Sequence, residues 1–450
     1  MILSPDRRTH NHSLPVVATA SGLGKYVFKH LGLGAKLDAV KDGRDAGRIT
    51  FESGTVLRTL VFGLLLGIGS MRGIEDRLRR GNELLFWAGL SRGFSDDTAR
   101  DVVTQLKSGG LERALSELGT FALYRWGAGR YLESELAQRL RPVGASHAVA
   151  RAVVAIDGHE SFCSEKLRCD DCQTRVKTVK RGGKLVEVEE HYHQLVVAQQ
   201  VGSHPAVVLD VERVRPGEGE VTAAYRLVKR LGATYGKVIG TLVADAAYDH
   251  GPFRSACQAA GFWSVVRHKD EKRRPGADLK KQLEARHPLL RSRPDGWHRD
   301  THNGNLYEYW VESEAPYTRW FYVEVRRTKP DGSVMTGSLV TDLPLETMSP
   351  LAAGLIMEAR WWLENTGFHE LAGQFHFDRA FVHAGKPTGA WAMVLLTLLA
   401  YNVWQLYLYR HLGLDPKKPC RTWGALRIDL LVSLRDLLAP KRPLARSRPP

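Results

Sequence analysis

Asp157, Asp245 and Glu364 are the residues whose types and settings could do chemistry. Residues 152–156 form an Ala/Val/Ile run that ends in Asp157-Gly158, and a second apolar run over 238–243 stops just short of Asp245. Short β-branched runs of this length predict buried strands. A carboxylate at the C-terminal end of such a strand lies where open α/β sheets place their ligands. Either Asp, taken alone, could equally well solvate a strand end. Glu364 closes the stretch Arg360-Trp361-Trp362-Leu363-Glu364, and residues four apart share one helix face. That pair reads either as a surface ion pair or as a third carboxylate aimed at the strand ends. Two strand-borne Asp and one helix-borne Glu suit two hard divalent cations, Mg2+ or Mn2+, which want oxygen ligands and keep positions open for water and phosphate. His159, Tyr248 and Asp249 flank these positions.

A second constellation lies in the polar excursion after Asp157. Cys169 and Cys172 form a C-x2-C pair, His191 and His193 follow, and Cys163 is near. Two thiolates and one or two imidazoles could close a tetrahedral, structural Zn2+ site on Cys169, Cys172, His191 and His193. His193 could equally just begin a strand. His369, His376 and His383 recur every seven residues. A helix would align them at a pitch that does not converge on one ion, so they are expected to face phosphate or solvent.

The elements that must position these groups follow from pattern. Residues 193–201 and 205–211 are apolar runs close enough to pair as an antiparallel hairpin, and residues 216–231 have a helical period. After the Asp245 strand come a helix over 251–260 and a fifth strand over 262–267. The expected fold class is α/β: a mixed five-stranded sheet flanked by helices. Period-2 runs at 306–311, 319–325 and 333–340 read as a β-rich insertion bearing Trp297, Tyr307, Tyr309, Trp310, Trp320 and Phe321. Those aromatics could stack on an extruded base or simply form a strand-face core. Ser349-Pro350 opens the Glu364 helix.

Upstream, three short helices are expected around 74–80, 83–88 and from Ser95, which is followed by two Asp as a helix start should be. Arg72, Arg77, Arg79, Arg80, Arg92 and Arg100 lie among them. The pattern fits a helix-turn-helix-like DNA-binding unit, with Arg92 and Arg100 as DNA contacts, or a plain bundle with a basic face. The expected organisation is an all-α N-terminal region (1–145), a catalytic domain in two parts (150–268 and 346–410) around the insertion (269–345), and a basic tail (411–450).

The chain has 450 residues, with 64 Lys plus Arg against 49 Asp plus Glu, a net charge of +15. That surplus favours a polyanionic partner, nucleic acid ahead of membrane. Five cysteines suit a reducing cytoplasm rather than a disulfide framework. Residues 391–409 carry no charge and are long enough to span a bilayer, but Thr397, Asn402 and Gln405 favour a buried core helix and no membrane partner.

With these motifs in order, the chain resembles the bacterial insertion-sequence DDE transposases with a ribonuclease-H-like catalytic domain. The branch it is most similar to carries a third motif of Tyr, Arg, Glu and Lys. The motifs correspond to residues 154–159, 242–248 and 360–365. The Tyr and Lys positions hold Met357 and Leu371 here. The resemblance implies that Asp157, Asp245 and Glu364 hold two Mg2+ ions and that Arg360 contacts phosphate. It also implies cut-and-paste transposition on double-stranded DNA, at transposon ends and target, by a homodimer in the bacterial cytoplasm, associated with the nucleoid when bound. The missing Tyr and Lys keep open a catalytically silent DNA-binding remnant or repressor. A Mg2+ nuclease without strand transfer would share the carboxylates.

Overall fold

A computed structural model describes residues 18–124, 135–141, 151–268, 279–293, 296–313, 320–345, 348–383, 387–414 and 422–438. Ten strands are formed among them: β1 (Ala152–Ser164), β2 (Gln173–Arg181), β3 (Lys184–Val201), β4 (Val208–Arg213), β5 (Ile239–Ala244), β6 (Trp263–Arg267), β7 (Trp297–His302), β8 (Asn305–Ser313), β9 (Phe321–Thr328) and β10 (Val334–Thr341). They join in one sheet, in the order β2-β3-β1-β5-β6-β10-β9-β8-β7, with β4 on β3. β1 runs parallel to β5, and β5 to β6, while β3 is antiparallel to β1 and to β4. The sub-order β4-β3-β1-β5-β6 is the mixed five-stranded α/β core that the apolar runs predict, and it is consistent with the ribonuclease-H-like fold that the resemblance implies.

Every residue of β5, and the first six of β1, is buried. Unbroken burial requires cover on both faces, which is why these strands read as continuous apolar runs rather than alternating ones. Helices Glu220–Tyr235, Gly251–Ala259 and Leu351–Trp362 pack on the sheet, the last across β1, β5 and β6.

Three features differ from the sequence expectation. The polar excursion after Asp157 is itself strand: β1 continues to Ser164, and β2 and the first half of β3 form a two-stranded ribbon with an exposed tip. Its pairs are charged, Arg175 bonding Glu160 and Glu190, so no apolar period marks it. The β-rich insertion, expected without a partner in the core, extends the same sheet: β10 pairs with β6 through Leu339, Val340 and Thr341. Its aromatics are accounted for by packing: Tyr307, Tyr309 and Trp310 are buried, and Trp297 and Trp320 pack on a small cluster of Leu290, Trp310, Tyr322 and Val340.

The third difference concerns the chain ends. Residues 1–17, 142–150, 415–421 and 439–450 are outside the described residues, and with them the Pro142-Val143-Gly144 boundary signal and the Pro/Arg-rich end. Trp423–Leu438 is a helix, not a plain tail, and it buries Leu426, Leu430 and Leu434 in the main core. That same core includes the N-terminal helices Ser53–Leu65, Met71–Arg80, Asp96–Gln105 and Gly109–Tyr124. The helix start expected at Ser95 holds, its Oγ accepting the Thr98 N–H at 3.2 Å, whereas the helix expected from residue 74 begins earlier, at Met71 behind a Ser70 cap.

Helix Thr388–Leu406 runs through the middle of this core, with Leu396, Leu398, Leu399, Tyr401 and Trp404 fully buried. It is long and apolar enough to cross a membrane, yet 94% of its most apolar window is buried inside the protein. Its polar residues serve the edge of the sheet. Asn402 accepts the Val208 N–H at 2.8 Å and donates to the Val208 carbonyl at 2.7 Å, and Gln405 accepts the Ala206 N–H at 3.3 Å. Two amide side chains thus satisfy backbone groups that β4 would leave unpaired on its outer side.

Candidate active site

The parallel register of β1 and β5 places Ile156 opposite Ala244. Asp157 and Asp245 therefore lie one step further on, side by side on strands about 4.8 Å apart. Asp157 still belongs to β1, where it is 8% exposed and opposite Val197 of β3. Asp245 sits where β5 ends and caps a short 3-10 turn, its carboxylate accepting the Ala247 N–H at 2.7 Å. The turn leads the chain away from the sheet and leaves the carboxylate at its end.

Glu364 arrives from the helix laid across these strands. Leu351–Trp362 continues into a π-helical stretch, Leu363–Phe368, with Glu364 in its first turn. Such π-turns re-aim side chains and recur at functional sites. Arg360 closes the constellation: its Nη1 donates to Asp157 Oδ2 at 2.8 Å and to Glu364 Oε1 at 2.7 Å. One guanidinium nitrogen thus holds together two residues 207 apart in the chain, one on the sheet and one on the helix above it.

Electrostatically the site is over-supplied with negative charge. Burial pushes the Asp157 carboxyl far above the usual carboxylate range; Arg360 opposes this, and Asp245 and Glu364 reinforce it. For Glu364 burial also pushes upward, but the hydrogen bond and charge of Arg360 outweigh it and the net direction is down. Two carboxylates bonded to one guanidinium, with Asp245 at the neighbouring strand end, are a hard-oxygen donor set short of positive charge. A divalent cation supplies that charge, and its presence reverses the logic that protonates Asp157. The residues therefore fit a hard divalent cation.

A fourth carboxylate, Glu220, is a neighbour that sequence reasoning missed. It accepts hydrogen bonds from the buried Tyr248 hydroxyl and from Gln194, the latter at 2.8 Å. Burial raises its pKa, the Tyr248 and Gln194 hydrogen bonds hold it down, and Asp245 adds repulsion. A Cβ on Gly158 would come within 2.2 Å of its Oε2, so Asp157-Gly158 leaves room for Glu220 by lacking a side chain. The only sequence signal was its place as the first acidic residue of a helix. Tyr248 thus serves Glu220. The Asp249 carboxylate lies 2.7 Å from His268 Nδ1. His159 stacks between Phe368 (4.5 Å) and Phe377 (5.2 Å), where burial lowers its pKa to about 4.

The other expected residues divide. Arg360 is 3% exposed with its Nη1 engaged by two carboxylates, so in this structure it organises the site instead of presenting a phosphate contact. Arg92 is exposed over the Phe51 ring at 5.4 Å, and Arg100 is exposed and paired with Asp96 at 3.2 Å. Leu371 is fully buried and Met357 packs on the core. The positions that would hold Tyr and Lys thus do packing work here. His191 does not join the cysteines: it bonds Thr174 at 3.2 Å and faces Glu189. On β3, His191 lies opposite Ser164 of β1 and Thr174 of β2, whereas His193 lies opposite Phe162. His383 takes its place beside Cys169, Cys172 and His193. The seven-residue spacing misled because the helix stops at His376, whose φ is 57°, so His383 is not on it.

Residues 174–403, just over half of the chain, match the family described as "Transposase DDE domain". The chain belongs to this family. The match contains Asp245 and Glu364 and begins after Asp157. A solved piggyBac transposase synaptic complex with hairpin DNA is similar to this transposase at a TM-score of 0.41 and 10% identity, over 96% of this chain and 83% of that one. No curated protein matches. The protein is thus a DNA transposase of the DDE class, a class that works with divalent metal ions.

Proposed function

We propose that this transposase performs cut-and-paste transposition, with Asp157, Asp245 and Glu364 holding two Mg2+ or Mn2+ ions. The observation that carries the reading is the meeting of two parallel strand ends with a helix-borne Glu through one buried Arg. When bound, the two ions would activate the attacking hydroxyl and stabilise the leaving oxygen of an in-line displacement at phosphorus. The protein's own part is positional. β1 and β5 fix the two Asp at adjacent strand ends, and the helix brings Glu364 over them. Arg360 keeps Asp157 and Glu364 oriented toward each other. Water attack then cuts the transposon end, and attack by the released 3′-hydroxyl joins it to target DNA.

The net charge of +15 supports a duplex DNA partner whose phosphates are contacted without sequence preference. Exposed Arg100 on an N-terminal helix and Arg92 in the bend before it are assigned to end binding, and a homodimer in the cytoplasm is the proposed working form. A second reading, a silent DNA-binding remnant, is favoured by the buried Leu371 and by Met357, which is half-buried against the core.

Cleavage of labelled duplex carrying the element's flanking ends, with Mg2+ or Mn2+, separates the two. Wild type should nick at the ends. Asp245→Asn should bind the same ends but cut slower by about a thousandfold, the equivalent of about 4 kcal/mol of lost charge stabilisation. Specific binding without cleavage under any metal would establish the silent reading. Cleavage indifferent to Asp245 would place the active site elsewhere.

A further inference from the structure

We propose that Cys169, Cys172, His193 and His383 bind one structural Zn2+, which locks the segment following the Glu364 helix to the strands that carry Asp157. The inference does not rest on the transposition chemistry. It rests on the shape of the donor set.

A tetrahedral zinc with Zn–S of about 2.3 Å and Zn–N of about 2.0–2.1 Å has an S···S edge of about 3.8 Å. Its N···N edge is about 3.3 Å and its S···N edges are about 3.5 Å. The Sγ atoms of Cys169 and Cys172 are 3.8 Å apart. The Nε2 atoms of His193 and His383 are 3.2 Å apart. Three S···N distances are 3.2 Å (Cys169–His193), 3.4 Å (Cys172–His193) and 3.2 Å (Cys172–His383). All four donor atoms lie within 4.8 Å of one another. Five measured edges thus agree with the zinc tetrahedron to within about 0.3 Å, and two sulfurs with two imidazole nitrogens select Zn2+ over the harder cations of the carboxylate site.

The surroundings suit a metal centre. The cysteines lie on a tight turn in which Cys172 N–H donates to the Cys169 carbonyl at 3.1 Å. The Cys169 N–H in turn donates to Cys172 Sγ at 3.2 Å, a bond that steadies a thiolate. The Phe162 ring packs 4.4 Å from His383 and walls off one side. Between the cysteines, Asp171 is tied to Arg213 of β4, which anchors the turn to the sheet.

The ligands come from distant parts of the chain. Cys169 and Cys172 precede β2, His193 is on β3 next to β1, and His383 lies beyond the Glu364 helix. After that helix ends, Phe377 returns to stack on His159 of β1, and the chain reaches the cysteines six residues later. Zinc would therefore close a clamp between the Asp157 strand and the Glu364 segment, and anchor the base of the β2-β3 ribbon.

Purified full-length protein, washed with Mg2+ to clear weak sites, should contain about one zinc per chain by elemental analysis. Replacement by Co2+ should give the visible bands of a tetrahedral site with thiolate charge transfer, a wild-type readout that needs no variant. His383→Ala should lower zinc affinity at least about 100-fold in chelator competition, while His191→Ala and Asp245→Asn keep the full equivalent. Loss of metal in Asp245→Asn would be a failure of the separation between the two sites. Zinc well below a tenth of an equivalent with no Co2+ bands would overturn the proposal, as would zinc lost in His191→Ala and kept in His383→Ala. Failed DNA cleavage with zinc retained would bear on the transposition reading alone.

Discussion

Replacing Arg360 by Met tests the electrostatics of the site most directly. Met keeps most of the side-chain volume and removes the charge that holds Asp157 and Glu364. Breaking a buried ion pair by removing one partner typically costs about 3–5 kcal/mol. The Glu364 side chain is 44% exposed and solvent-screened, so the Asp157 half, 11% exposed, carries most of the cost. Asp157 can also escape by taking up a proton, since burial already raises its pKa, so about 2–4 kcal/mol is expected. In a chain of this size that is about 2–4 °C in Tm.

The proton gives the loss a sign. Removing the guanidinium raises the folded-state pKa of Asp157 further above its unfolded value. Stability tied to such a raised pKa is present at low pH and is lost as pH rises through the folded value. Without metal, the variant should therefore fall further below wild type at pH 9 than at pH 6. Mg2+ supplies the missing charge, so saturating Mg2+ should raise the Tm of the variant more than that of wild type. Scanning calorimetry in chelator and in Mg2+, at both pH values, measures all four quantities. A Tm deficit independent of both pH and Mg2+ would mean that Arg360 is a packing residue and that the three carboxylates do not share a field.

Other perturbations have equally definite outcomes. Leu371→Lys, which restores the family's basic residue, should destabilise by about 3–5 kcal/mol because the site is fully buried; a gain in end cleavage with unchanged Tm would show the position to be DNA-facing. Gly158→Ala pushes a methyl group against Glu220, which Tyr248 and Gln194 hold in place. A cost of about 1–3 kcal/mol and slower cleavage are expected, and restoration of the Tm in Gly158→Ala/Glu220→Ala would identify the clash. Glu370 is buried beneath Tyr401 and Gln405, and burial raises its pKa to about 7 against their hydrogen bonds. Its contribution to stability is complete below about pH 4.5 and declines up to about pH 7, so Glu370→Gln should gain up to about 3 kcal/mol over wild type at pH 8 and little at pH 4.5. Parallel denaturation curves at both pH values would rule that out.

Much of the catalytic core was legible from local pattern. Strands buried on both faces must be apolar throughout, so 152–156 and 238–243 declared themselves, and their terminal Asp residues stood out as breaks in that composition. Arg360 and Glu364 were legible as a pair because helical pitch alone puts residues four apart together. Asn402 and Gln405 stood out as polar residues in the apolar run 391–409, and they bond Val208 of β4 and Ala206 just before it.

What depended on the third dimension is what joins distant segments. Whether Arg360 reaches phosphate or Asp157 is a matter of where the helix crosses the sheet, which no local spacing encodes. The charged β2-β3 ribbon has no apolar face, so its strands exist through cross-strand pairing that composition does not announce. The exchange of His191 for His383 at the cysteines shows the same limit. Spacing along the chain measures proximity only within one regular element, and the His376 turn ends the helix on which the seven-residue count depended. Residue types and periods settled which groups could act, and packing of the helix, the ribbon and the sheet settled which of them meet.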